Sequence, residues 1–214
     1  MARTTLIALL VLGSGAAVCA AGCSIGPFGR PGATLRAESL GEDPVFLKRD
    51  YAYAVYARLG STETSFFLTD IPMEDLLAGN VTTGMVVHFD LLWQPSAGNT
   101  PMDRSATNVS VRYIVFADGE VGIYGGAGFA MPRGKLGKGK MSLSLRDASL
   151  TLLDSTGGFI DLLSPARLTG TVTASLNKKR ARQMSYALNQ IVTNALGYTR
   201  LVGTADEVTS SPGV

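Results

Sequence analysis

Residues 109–131 read VSVRYIVFADGEVGIYGGAGFAM, two apolar runs joined at Asp118-Gly119. Asp-Gly is among the strongest short hairpin signals, because both central residues of the turn must accept positive φ and these two do so at low cost. The flanking runs, 109–117 and 120–131, are rich in β-branched and aromatic residues. They predict an antiparallel hairpin, and they set the fold class for the segments around it.

Working outward, most of the chain repeats the same grammar of short period-2 runs bounded by turn residues. Toward the amino terminus, 51–59 (YAYAVYARL) and 64–70 (TSFFLTD) predict a further hairpin. Next, 72–78 (PMEDLLA) carries Pro at a first helical position, acids in the first turn and Gly79 behind it, which favours one or two helical turns. The run 84–93 (GMVVHFDLLW) puts Met85, Val87, Phe89, Leu91 and Trp93 on a core face, with Val86, His88, Asp90 and Leu92 on the other. The polar stretch 94–108 after it, with two prolines, has the length of a functional loop and is the preferred contact loop.

Toward the carboxyl terminus, 141–145 alternates as MSLSL, and the apolar parity then flips at Arg146-Asp147, which predicts a β-bulge or a turn. Residues 167–176 (RLTGTVTASL) alternate strictly, one face apolar and one wet. A helix is predicted over 178–196, capped by Asn177 and ended by Gly197, with Ala181, Met184, Leu188, Ile191, Val192 and Ala195 as its apolar stripe. The expectation is a mainly β fold: an antiparallel sandwich or partly closed barrel of about seven or eight strands with one packed C-terminal α-helix. Residues 45–197 form one domain in this reading, and 198–214 a flexible polar tail.

Composition limits the chemistry. With 19 Lys plus Arg against 17 Asp plus Glu, the net charge of +2 is too balanced for a strongly basic nucleic-acid binder. One His and two Cys cannot supply a zinc-finger or catalytic-zinc ligand set, and no cofactor is implied. The loop GKLGKGKM resembles a phosphate-binding P-loop in Gly134, Gly139 and Lys140, but Met141 stands where a hydroxyl is needed and a strand-like run follows instead of a helix. It reads as a basic hairpin loop. The glycines at 122, 125, 126 and 128 lie within a strand-like run and point to a bulge, a sharp bend or the close approach of another backbone, with ligand contact as the lesser alternative.

The first residues, MARTTLIALLVLGSGAAVCAAGC, place Arg3 before an apolar run and small residues before a cysteine. This is export-signal architecture, and it is too short and too Gly-interrupted for a spanning helix. Its end, Ala20-Ala21-Gly22-Cys23, resembles the lipobox of bacterial lipoproteins, with Ala20 where Leu is favoured. Ordinary secretion with cleavage near the same place is the alternative. The resemblance implies a signal peptide over 1–22, diacylglyceryl at Cys23, firm anchoring to a membrane by acyl chains, and a mature chain of 192 residues with no free thiol. Ser24 follows, not the Asp of inner-membrane retention, which implies an outer-membrane lipoprotein facing the periplasm in a two-membraned source. Residues 23–44, punctuated by Gly and Pro, read as a flexible tether.

Three sets of residues carry the remaining functional signal. His88 and Asp90 share a strand face, the geometry of a His/Asp pair; without a second His or a nucleophile elbow, a solvent-facing or hydrogen-bonded polar pair is the plainer reading, and were there catalysis His88 would be the first choice of general base. Arg133, Lys135, Lys138 and Lys140 form one basic cluster; Lys178, Lys179, Arg180 and Arg182 form another at a helix amino terminus, where positive charge opposes the macrodipole. Contact with anionic lipid or another envelope polymer competes there with plain solvation. The expected function is a non-enzymatic envelope lipoprotein that binds a protein or envelope component. The alternative is a carrier of a lipid or other apolar ligand in a barrel interior or sheet–helix cleft.

Overall fold

The computed structural model describes residues 31–59, 63–95 and 106–200. Eleven elements follow one another: β1 (Gly32–Ser39), β2 (Phe46–Tyr51), β3 (Tyr53–Arg58), β4 (Thr64–Thr69), α1 (Met73–Ala78), β5 (Gly84–Leu91), β6 (Val109–Ala117), β7 (Glu120–Arg133), β8 (Lys140–Ser155), β9 (Ala166–Leu176) and α2 (Lys178–Leu196). The strands form a single sheet in the order β2-β1-β9-β3-β4-β5-β6-β7-β8, and β8 also pairs with β9. The sheet therefore curls into a ring. All its ladders are antiparallel except the closing one, where β9 and β3 share only Val55↔Ser175 and Tyr56↔Leu176 in parallel, so the ring is not a regular barrel.

The Asp118-Gly119 hairpin forms as read: Ala117 pairs with Glu120, and the two turn residues have φ of 52° and 86°. The parity flip at Arg146-Asp147 is a bulge within one long strand, where the β8–β9 register jumps between Leu145 and Ala148. The glycine cluster lies in β7, which shifts register against β8 at Ile123/Tyr124 and Phe129/Ala130. A Cβ on Gly126 would overlap the Ser149 carbonyl, so the close approach of β8 depends on the bare glycine.

Residues 32–44 are not tether. β1 lies between β2 and β9, pairing Ala33–Glu38 with one and Gly32–Ser39 with the other, and it buries Leu35 and Ala37 completely. The alternation is present in GATLRAES, but two of its inward residues are alanines, whose small apolar area barely marks a period. The turn behind it is held by Ser39, whose backbone N–H reaches the Val45 carbonyl at 3.0 Å while its Oγ accepts from the Val45 N–H at 2.8 Å. β2 is the outer edge strand, and the exposed charges of Lys48, Arg49 and Asp50 discourage further strands from adding to it.

Two hydrophobic cores result. The ring interior holds Tyr51, Tyr56, Phe66, Phe89, Tyr113, Tyr124 and aliphatic side chains of every strand. Tyr51 donates to the Tyr113 hydroxyl at 3.3 Å, and Tyr113 donates to the Met85 sulfur at 3.1 Å, so the buried phenols have partners. The β8–β9 connection closes one end: Phe159 packs edge-on to Tyr124 at 6.2 Å, and Asp161 accepts from the Tyr124 hydroxyl at 2.8 Å. The second core lies outside the ring, where α2 sets Ala181, Met184, Leu188 and Val192 on Phe67, Val86, Ile114 and Ile123. Asn177 caps α2 by accepting from the Arg180 N–H at 2.9 Å, and Gly197 ends it in the left-handed conformation. Beyond it, Tyr198 and Arg200 reach Asp154 at 2.5 and 3.3 Å, so this start of the expected tail is tied to β8; 201–214 lie outside the described residues.

Candidate functional site

β5 sends Met85, Val87, Phe89 and Leu91 into the ring, and Val86, His88 and Asp90 to the opposite face. That second face is not open to solvent, because α2 lies across it. The His88 and Asp90 side chains are 20% and 23% exposed, at the floor of a recess of about 170 Å³ between β5, β6 and α2. His88 lies flat on Phe67, centroids 4.3 Å apart with 8° between planes. Its Nε2 is 3.1 Å from Asp90 Oδ1 but is poorly aligned and has no hydrogen-bond partner. Asp90 Oδ1 accepts from Ser65 Oγ at 2.7 Å.

Burial works to raise the Asp90 carboxyl. The approach of His88, the Ser65 hydrogen bond and the Arg112 charge outweigh it and hold the group below the usual carboxylate range. The carboxylate sits between the hydroxyl and the imidazole. A nucleophile relay needs the imidazole in the middle, so Ser65 has no base at hand here. The recess presents polar groups of both kinds: Ser110 and Arg112 from β6, Ser185 and Asn189 from α2, and the unsatisfied Asn189 Oδ1. Sequence reasoning passed over these four. Period 2 puts Ser110 and Arg112 on one face of β6, and Ser185 and Asn189 are four apart on a helix, but nothing local says that the two pairs meet.

The structure brings the two basic clusters to one place. Arg133, Lys135, Lys138 and Lys140 lie on and around the β7–β8 turn, while Lys178, Lys179, Arg180 and Arg182 begin α2. Lys140 pairs across the ladder with Ser175, and the Leu176 N–H donates to the Gly139 carbonyl at 2.7 Å. Tyr56 ties the two parts from β3: its hydroxyl donates to the Lys138 carbonyl at 3.2 Å, and its own carbonyl accepts from the Asn177 N–H at 3.0 Å. Arg133, Lys135, Lys138, Lys178, Lys179 and Arg182 are exposed. Lys140 and Arg182 each have a partner.

Of the contact loop, 96–105 lie outside the described residues. At its base Trp93 donates from Nε1 to the Thr107 carbonyl at 3.0 Å and stands edge-on to Phe129 at 6.2 Å. Buried Asn108 clamps β7, accepting from the Ala130 N–H at 2.7 Å and donating to its carbonyl at 2.8 Å. Residues 1–30, with Cys23, also lie outside the described residues. No helix among the described residues is long and apolar enough to cross a membrane, and no group of three or more His, Cys, Asp or Glu that could hold a metal is found among them. Set against family models, curated proteins and solved structures, the chain matches none.

Proposed function

We propose that this chain is a membrane-anchored cell-envelope lipoprotein whose β-ring is a non-enzymatic binding or structural module. The observation that carries the reading is the leader ending Ala21-Gly22-Cys23, in which small residues precede the cysteine after a charged start and an apolar run. Ser24 favours the outer membrane, with the domain in the periplasm, in a two-membraned source. The filled ring interior favours a module that binds through its surface over one that encloses a ligand.

One observation keeps a carrier in play as the second reading. A cleft of about 410 Å³ lies between α1, α2 and the β6–β7 turn, with Leu76, Val81, Phe116, Val121 and Ile191 along it. An acyl chain or similar apolar group would fit its chemistry.

Intact mass of the protein extracted with detergent from membranes of an expressing bacterium tests the anchor. The expected species starts at Cys23 and carries acyl chains; an unmodified terminus in the soluble fraction rejects the lipoprotein. Organic extraction of the folded protein separates the two readings, since a carrier releases stoichiometric apolar ligand beyond its covalent anchor and a surface module releases none.

A further inference from the structure

We infer that the rim of the ring where β1 begins lies on the bilayer and recognises anionic phospholipid headgroups. The inference deepens the anchored-lipoprotein reading and rests on it for the identity of the surface. Position comes first. The chain joins the sheet at Gly32, which pairs with Thr173; Thr173 pairs with Ser142, and Ser142 with Arg133. These four form one row across β1, β9, β8 and β7, about 14 Å long at ~4.8 Å per strand step. The point where the tether leaves the domain is therefore beside the basic hairpin. Eight residues, 24–31, separate it from Cys23 and span at most about 28 Å.

Charge is the second argument. The same rim carries Arg133, Lys135 and Lys138 with Lys178 and Lys179, while the acids near it among the described residues are Glu63, Asp50, the largely covered Asp90 and Asp70, fewer than the cations. Glu74, Asp75, Asp118 and Glu120 sit toward the other end, on α1 and around the β6–β7 turn. The molecule is thus positive at the end nearest the tether and negative away from it. Screening confines such attraction to about 8 Å at physiological salt, and the short tether keeps the rim within a few such lengths of the surface.

Side-chain type is the third. Leu92, Trp93, Met131 and Leu176 leave 41, 37, 39 and 40% of their surface exposed along this rim. Trp is a residue of membrane–water interfaces, where its apolar body and polar N–H are both accommodated. A basic rim edged with such groups fits a headgroup layer better than it fits bulk water.

Trp93 is the single tryptophan and so reports on the rim directly. The mature acylated protein is reconstituted into phosphatidylcholine vesicles with and without roughly one third phosphatidylglycerol, each containing lipids spin-labelled at the headgroup. The expected result is Trp93 quenching several-fold stronger in the anionic vesicles, lost in about 0.5 M salt and in the K135E/K138E/K178E/K179E protein. Circular dichroism checks that this protein is folded; if it is not, the four Lys→Gln changes replace it. Equal quenching in both vesicles overturns the inference, as does a phosphatidylglycerol effect that survives loss of the four charges. Strong binding of the rim to an acidic polymer without any phosphatidylglycerol effect also overturns it and assigns the face to a soluble partner. Failure of the anchor is read separately, from the mass of the same sample. Unacylated protein would then be added to the same vesicles, where each lysine removed should weaken partition about five-fold.

Discussion

Asp90 shows how much a single residue's neighbours decide. Its carboxyl is held below the ordinary carboxylate range despite burial, so its ionised form stabilises the fold. That contribution is complete above the unfolded carboxyl's pKa of about 3.9 and is lost as pH falls through the lower folded value. Asp90→Asn should therefore lower the denaturation midpoint most at neutral pH, with the gap to the native protein closing in acid; a gap that stays constant across a pH series would refute this. Tyr51 and Tyr113 work at the other limit. Burial first, and in Tyr51 also the neighbouring Tyr113, push their hydroxyls up, so their stabilising effect is present below about pH 10 and fails as pH rises beyond it. Alkaline unfolding followed by tyrosinate absorbance should begin above that value, and at higher pH in Tyr51→Phe. Gly126 carries a purely steric duty, and Gly126→Ala should cost about 2 kcal/mol or more in chemical denaturation because backbone must move to admit the methyl. Period 2 was enough to put His88 and Asp90 on one face. It could not show that a helix 95 residues further along the chain would cover them, because that cover is a contact distant in sequence.

Among the elements, α2 was the most legible and β1 the least, for one reason. A nineteen-residue helix repeats its apolar stripe several times and announces both ends, here with Asn177 and Gly197. Met184, Leu188 and Val192 are buried as the stripe predicts, while Ala195 is exposed and Ala187 is buried in its stead, since the helix meets the sheet along only part of that stripe. Met184→Ala should cost roughly 2–5 kcal/mol by opening a cavity in the second core, and Asn177→Ala about 1 kcal/mol by loss of the cap, both read from the shift in denaturation midpoint. An eight-residue strand offers only four inward positions, and β1 fills them with Ala33, Leu35, Ala37 and Ser39. Flanked by Gly and Pro, that pattern does not stand out from linker until β9 and β2 supply hydrogen bonds on both sides.

At the scale of the whole molecule, β1 sets where the folded domain starts. A chain beginning at residue 31 should melt like one beginning at residue 23 by circular dichroism, whereas one beginning at 45 should fail to melt cooperatively. The second loses Leu35 and Ala37 from the core and leaves both β2 and an edge of β9 without partners. The sequence by itself determined the β-rich class, the Asp118-Gly119 hairpin, the β8 bulge and the capped final helix, because each is written within a span of a few to about twenty neighbouring residues. Only the tertiary structure decided that the sheet closes through two parallel pairs, that α2 roofs His88 and Asp90, and that two basic clusters some forty residues apart share a rim with the start of β1. Those are matters of strand order and register, and they are settled by packing between segments that no local pattern connects.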